Sequence, residues 1–321
     1  MYYKKLLYTW LGIAFSVFFI FISLYIIVDP INILGSPIIQ GFNHQKIKEG
    51  SFLDIVKPYQ YLRATPDEVY IGSSRIYVGL GPVPGDEINA YNMGLSGLSL
   101  PDMQHYIEFI CETNPPKTLY VGLDFFQFGK ENFNTKREGY SCQRLKSLAE
   151  HNKFKYFQWL LADALSFCKA EYLIDTIIAS SKAKDNEMPL FYNGCDLRRG
   201  LSEFNNEEAQ YVLISFDRQY REWEFEPKSI ETFKEIERYL RNKNIRVYYF
   251  INPVSAELTS VMHKYNHDKA FENIKGILQE VCFIKDFSSA DYRDMQNNTN
   301  FYDYSHYNVQ IGRAMLNEII N

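Results

Sequence analysis

The chain has no cluster of basic residues: 34 lysines and arginines face 39 acidic residues, for a formal net charge of −5. Without a basic stretch to track a phosphate backbone, nucleic-acid binding is not expected. Cysteine is scarce and scattered. Cys111, Cys142, Cys168, Cys195 and Cys282 form no Cys-x-x-Cys pair and no metal-like spacing, which argues against zinc and against a disulfide framework. An odd count of five in an exported domain leaves a free thiol or an intermolecular bond, and the apolar surroundings of Cys111 and Cys282 read as core. No Gly-x-Gly-x-x-Gly follows the first strand-like run, which argues against dinucleotide binding. No internal repeat or low-complexity run appears.

Charge of either sign is missing from Leu6 to Val28, a run rich in Leu, Ile and Phe. At ~1.5 Å per residue it is long enough to cross a ~30 Å hydrocarbon layer. Val28-Asp29-Pro30 lacks the small-x-small pattern of a cleavage site, and the run is long for a signal-peptide core, so residues 6–28 read as an uncleaved transmembrane anchor. Lys4 and Lys5 precede it and the next lysine or arginine is Lys46. That asymmetry places residues 1–5 in the cytoplasm and the remainder outside the cytoplasmic membrane. Residues 29–61 mix Pro, Gly, Asn and Lys with short apolar groups and read as a linker to a domain over 62–321, one that can also pack on that domain.

Within that domain, strand-like runs occur at Glu68–Gly72, Ile88–Asn92, Thr118–Asp124, Arg246–Asn252 and Val281–Phe287. Amphipathic segments such as Asp102–Cys111 and Ser229–Arg241 lie between several of them. Alternating strands and helices predict an α/β fold with a parallel sheet covered on both faces. Residues 130–227 read instead as a helical insertion. Helical periodicity runs from Arg144 to Ser180 and places Phe154, Trp159, Leu160, Leu165 and Leu173 among its apolar positions, and a polar loop is expected from Asn186 to Asn206. Such an insertion is either a lid over the sheet's carboxyl edge or a peripheral layer.

The chemistry-bearing residues stand at two distant places. The run Val69-Tyr70-Ile71 stops at Gly72-Ser73-Ser74, leaving hydroxyls at the carboxyl end of a buried strand, where α/β folds place their sites. Near the C-terminus, Asp303 precedes His306 by three residues in a loop before a closing helix. Serine, histidine and aspartate are the parts of an acyl-transfer triad. A third block, Asn92-Met93-Gly94-Leu95-Ser96-Gly97, follows the second strand.

Together these ordered blocks resemble the SGNH (GDSL-type) hydrolases, whose fold is a flavodoxin-like three-layer parallel sheet. The resemblance implies Ser74 as nucleophile, His306 as general base, Asp303 as its orienting carboxylate, and the Ser74 and Gly97 backbone N–H groups as oxyanion donors. No metal or cofactor is needed for that chemistry. The family's Gly-x-Asn-Asp block is missing its asparagine: here the strand runs Leu119-Tyr120-Val121-Gly122-Leu123-Asp124. An ionised Asp124 only accepts hydrogen bonds, so another donor substitutes or activity falls roughly a hundred- to a thousandfold. Asn252, ending its strand before Pro253, is a candidate donor or a turn residue. Membrane-tethered relatives of this kind resemble the bacterial proteins of alginate O-acetylation and lipoteichoic acid D-alanylation. That implies an extracytoplasmic esterase or O-acyltransferase acting on an acyl ester of a cell-surface glycan or polymer, with a multi-spanning membrane acyltransferase as partner.

Each residue also has a plainer reading. Ser73 and Ser74 can cap a helix. Arg75 can bind a substrate carboxylate or phosphate, or pair with a structural acid, and Asp124 is a second candidate substrate-binding residue. Phe125, Phe126 and Phe128 can line a pocket or fill the core, and His105 reads as an ordinary helix-surface residue. The alternative for the whole chain is a catalytically silent SGNH-like domain that binds a polymer or a membrane partner.

Overall fold

The computed structural model describes residues 2–134, 139–184 and 187–320, and these divide into two compact units. One comprises residues 1–60 and 157–190, the other residues 61–156 and 191–321.

The second unit holds the sheet. Its strands are β1 (Glu68–Ile71), β2 (Ala90–Asn92), β3 (Thr118–Leu123), β4 (Arg246–Ile251) and β5 (Ile284–Asp286), arranged β2-β1-β3-β4-β5 with every pairing parallel. All five expected strand runs are present, shortened by one to four residues at their ends. Every residue of β3 is buried, as a central parallel strand requires. Alternation sorts the side chains onto two faces. On one, Tyr70, Tyr120 and Phe250 cluster with Tyr307 and with Met315 of the C-terminal helix Val309–Ile320. On the other, Phe233 of helix Pro227–Arg241 meets the edge of the Tyr249 ring at 5.5 Å. Gly312 lets the C-terminal helix press on helix Ser74–Gly79, because a Cβ there would collide with the Gly79 carbonyl.

The stretch expected as an insertion belongs partly to each unit. The continuous helical periodicity resolves into helices Gly139–Ala149, Lys153–Ser166 and Ala170–Lys182. His151, at φ 53°, sits in the first break. Trp159 and Leu160 are half-buried, and Phe154 and Leu165, expected on the packed face, are exposed. Periodicity identifies an apolar face without saying what covers it. The expected polar loop begins at Asn186, outside the described residues; within it lie a hairpin, Phe191–Tyr192 with Cys195–Asp196, and the one-turn helix Leu197–Gly200. All five cysteines are free thiols; Cys111 and Cys195 are buried, whereas Cys282 is only half-buried.

The first unit contains helix Tyr2–Val28, long and apolar enough to cross a membrane. Residues 29–60, expected as a linker, are folded, with Ile31, Ile33, Val56 and Tyr59 fully buried. Asp29, at φ 45°, ends the apolar helix, and its carboxylate accepts N–H bonds from Ile33, Leu34, Gly35 and Ser36. The buried Glu49 carboxyl accepts from Gln60 Nε2 at 2.8 Å and Asn32 Nδ2 at 3.0 Å.

Candidate functional site

The site lies at the carboxyl end of β1, where the backbone turns sharply. Gly72 is required there: a Cβ would meet the Ile76 side chain at 2.5 Å and the Gly122 carbonyl of β3 at 2.7 Å. Ser73 is fully buried and caps helix Ser74–Gly79, its hydroxyl accepting from Arg75 N at 3.2 Å. Ser74, one residue on, is half-buried. The two adjacent serines therefore have separate environments.

The loop before the C-terminal helix brings Asp303 and His306 to Ser74. Asp303 Oδ1 accepts the backbone N–H groups of Ser305 at 2.7 Å and His306 at 2.8 Å, which folds the loop into a tight turn. A bridge between Phe301 and Tyr307 closes it, and Tyr302 N donates to His306 O at 2.8 Å. Within that turn, His306 Nδ1 stands 2.7 Å from Asp303 Oδ2 and His306 Nε2 stands 2.8 Å from Ser74 Oγ. Burial would raise the Asp303 carboxyl, but the hydrogen bonds and charge of His306 and the two backbone donors outweigh it, and Asp303 is held below its ordinary range. An ionised Asp303 fixes the proton on Nδ1 and leaves Nε2 to accept from the serine hydroxyl.

The chain matches no family model, and no curated protein sequence resembles it at a significant level.

The glycine-rich loop after β2 is fixed over the same strand end. Leu95 N donates to Gly72 O at 3.0 Å, and Asn92 spans the corner, donating to Ile76 O at 2.7 Å and accepting from Gly94 N at 2.8 Å. Gly97 is exposed with φ 60°, and its carbonyl accepts from Asn132 Nδ2 at 3.2 Å. Among the described residues no acceptor takes the N–H of Ser74 or of Gly97.

Asp124 and Arg75 pair with each other. The carboxylate of Asp124 accepts from Arg75 Nη1 with both side chains buried, and Arg75 Nε donates to Ser305 Oγ at 3.1 Å and Ser305 O at 3.3 Å. The guanidinium lies 5.6 Å from the ring centroids of Phe126 and Phe216. Asn252 donates to Asp124 Oδ1 at 3.2 Å and Leu123 O at 3.3 Å, while its own carbonyl accepts from Tyr307 at 3.0 Å. In this arrangement Asn252 braces Asp124, and its amide is already engaged. Phe125, Phe126 and Phe128 are buried, with Phe125 stacked on Trp223 at 4.3 Å.

Ser305, Gln127 and Asn132 were not singled out by sequence reasoning. Gln127 holds both ends of the site's floor, accepting from Asp124 N at 2.8 Å and donating to Leu98 O at 2.7 Å. Its place three residues after Asp124 is a capping-box spacing that the sequence does carry. Among the described residues no group of three His, Cys, Asp or Glu side chains is placed to hold a metal ion.

Proposed function

We propose that this chain is a membrane-anchored serine acyl-transfer enzyme of SGNH type, an esterase or O-acyltransferase acting on an acyl ester of an extracytoplasmic glycan or polymer. The observation that carries the reading is the unbroken hydrogen-bonded chain from Ser74 Oγ through His306 to Asp303. Ser74 Oγ attacks the ester carbonyl while His306 Nε2 takes its proton. Asp303 steadies the imidazolium, and the Ser74 and Gly97 N–H groups receive the developing oxyanion. Collapse of the tetrahedral species expels the alcohol, which leaves with the proton from His306. Water or an acceptor hydroxyl then attacks the acyl-serine by the reverse sequence.

Three further features support this reading. The strand order β2-β1-β3-β4-β5 is the flavodoxin-type order, and Ser74 stands at the carboxyl end of β1, beside its reversal point. The blocks around Ser74, Gly97 and His306 follow the SGNH order. The apolar helix Tyr2–Val28 supplies the anchor, with Lys4 and Lys5 on the cytoplasmic side. The protein then works outside the cytoplasmic membrane, where a multi-spanning acyltransferase can pass it an acyl group.

The test is trapping of the acyl-enzyme. Full-length protein in detergent is mixed with p-nitrophenyl acetate, quenched in acid and mapped by mass spectrometry. An acetyl group on the Ser74 peptide, absent from Ser74→Ala and His306→Ala, is the expected result. Nitrophenol release without acetyl-Ser74, equal in both variants, would leave the silent binding domain as the better reading.

A further inference from the structure

The apolar helix does not emerge from its unit into open water. Its last four backbone carbonyls, which a helix end leaves without partners, are all taken by the protein. Tyr25 O accepts from Asp29 N at 2.8 Å, Ile26 O from the Ser36 hydroxyl, Ile27 O from Asn43 Nδ2 at 2.8 Å, and Val28 O from Lys46 Nζ. A helix end so completed needs no water, which is the condition of backbone at a lipid boundary.

Around this end the same unit presents apolar side chains outward. The loop that brings Ser36 and Asn43 back to Ile26 and Ile27 carries Ile38 and Ile39, which are 59% and 46% exposed. Helix Ala170–Lys182 packs against the apolar helix and exposes Ile174 and Ile178, one turn apart. Helix Lys153–Ser166 ends beside Phe167, whose carbonyl accepts from Tyr25 OH at 2.7 Å. It exposes Phe157, Leu161 and Leu165 at a spacing of four, which aligns them along one face. Leu24, Ile26 and Ile27 of the apolar helix are themselves exposed near its end. Lys169 and Tyr172 add an amphipathic rim, the ammonium 5.1 Å from the ring centroid.

We propose that this collar lies in the headgroup and acyl boundary of the bilayer that helix Tyr2–Val28 crosses, so that the first unit rests on lipid as well as being tethered to it. The occupant is set by position. Tyr25 lies within the last turn of a helix whose outward side chains require hydrocarbon, and the elements bonded to that turn share its depth. Exposed apolar side chains on elements packed against or bonded to the end of a helix apolar enough to span a membrane are accounted for by lipid. The inference rests on the membrane-anchor part of the proposed function.

The test uses the full-length chain in vesicles of phosphatidylethanolamine and phosphatidylglycerol, with p-benzoylphenylalanine placed singly at Phe19, Ile38, Leu161, Ile178 or Ile214. Irradiation followed by mass spectrometry reads lipid adducts. Ile214, 71% exposed, serves as an apolar control on the charged helix Asn206–Arg221 of the other unit. Adducts are expected at Phe19, Ile38, Leu161 and Ile178 and not at Ile214. Adducts at Phe19 alone would overturn the collar while leaving the anchor in place. No adduct at Phe19 would remove the anchor, and the collar with it. Protein-to-protein crosslinks at the collar positions in place of lipid adducts would overturn the collar in favour of self-association.

Discussion

Arg75, the residue after the proposed nucleophile, is buried in an ion pair with Asp124, which follows the last residue of β3. The pair acts as a brace. Because Arg75 neutralises it, Asp124 need not repel an oxyanion, and because Arg75 also holds Ser305, the pair links the β1 and β3 ends to the histidine loop. Removing one partner leaves the other charge buried. Arg75→Met or Asp124→Leu alone should therefore cost about 3–5 kcal/mol, and the double variant much less than their sum. Denaturant unfolding of the four proteins in detergent measures this. Additive losses would mean that the two side chains act independently. Asp124→Asn should not raise activity, since its amide would face the Arg75 guanidinium.

Ser73 and Ser74 should separate cleanly. Ser73→Ala removes a helix cap and should cost about 1 kcal/mol while leaving acylation in place. Ser74→Ala should abolish acylation and change stability little, because Ser74 is only half-buried. Melting curves and acyl-enzyme yields on the two variants check the split.

Burial raises the Glu49 carboxyl to about 7 from 4.5, against the lowering effect of the Gln60 and Asn32 hydrogen bonds. Between those values the folded state binds a proton that the unfolded state has released. Stability therefore falls as pH rises from about 4.5 to about 7, by roughly 3 kcal/mol in all, and is then level. Glu49→Gln should flatten that slope. Asp303 acts oppositely: its stabilising share is present above the ordinary carboxylate value and is lost as pH falls through its lowered one. Unfolding free energies of the parent and Glu49→Gln across this range decide it; identical slopes would contradict the assignment.

Leu173 and Leu161 belong to neighbouring helices and differ in burial, at 7% and 60% exposed. Leu173→Ala should cost about 2–5 kcal/mol and Leu161→Ala within about 0.5 kcal/mol in detergent. Equal losses would place Leu161 in a packed environment.

Their contrast shows where sequence reading stops. The five strands were legible because buried parallel strands are written as short apolar runs ended by Gly, Asn or Asp, as in Tyr70-Ile71-Gly72. Ser74 stood out at a strand end and Asp303 and His306 by their spacing, while their joint role came from a family resemblance; the contact joining Ser74 to His306 spans 232 residues. The Arg75–Asp124 pair was not, since a charge does not announce a partner 49 residues away. Nor was the folding of residues 29–60 with 157–190. Ser180 Oγ accepts from Gln45 N at 3.0 Å, a bond that no periodicity encodes. The periodicity of residues 144–180 was visible, but it pointed to Trp159, Leu160 and Leu165, and not to the stripe that the exposed Leu165 forms with Phe157 and Leu161.

The most direct test of an activated Ser74 is labelling of the full-length protein by a fluorophosphonate, whose phosphonyl adduct mimics the tetrahedral oxyanion. Label should map to the Ser74 peptide, persist in Ser73→Ala, and vanish in both Ser74→Ala and His306→Ala. Label that survives Ser74→Ala, or a parent protein that takes up no label while remaining folded, would contradict the assignment of Ser74 as a nucleophile driven by His306.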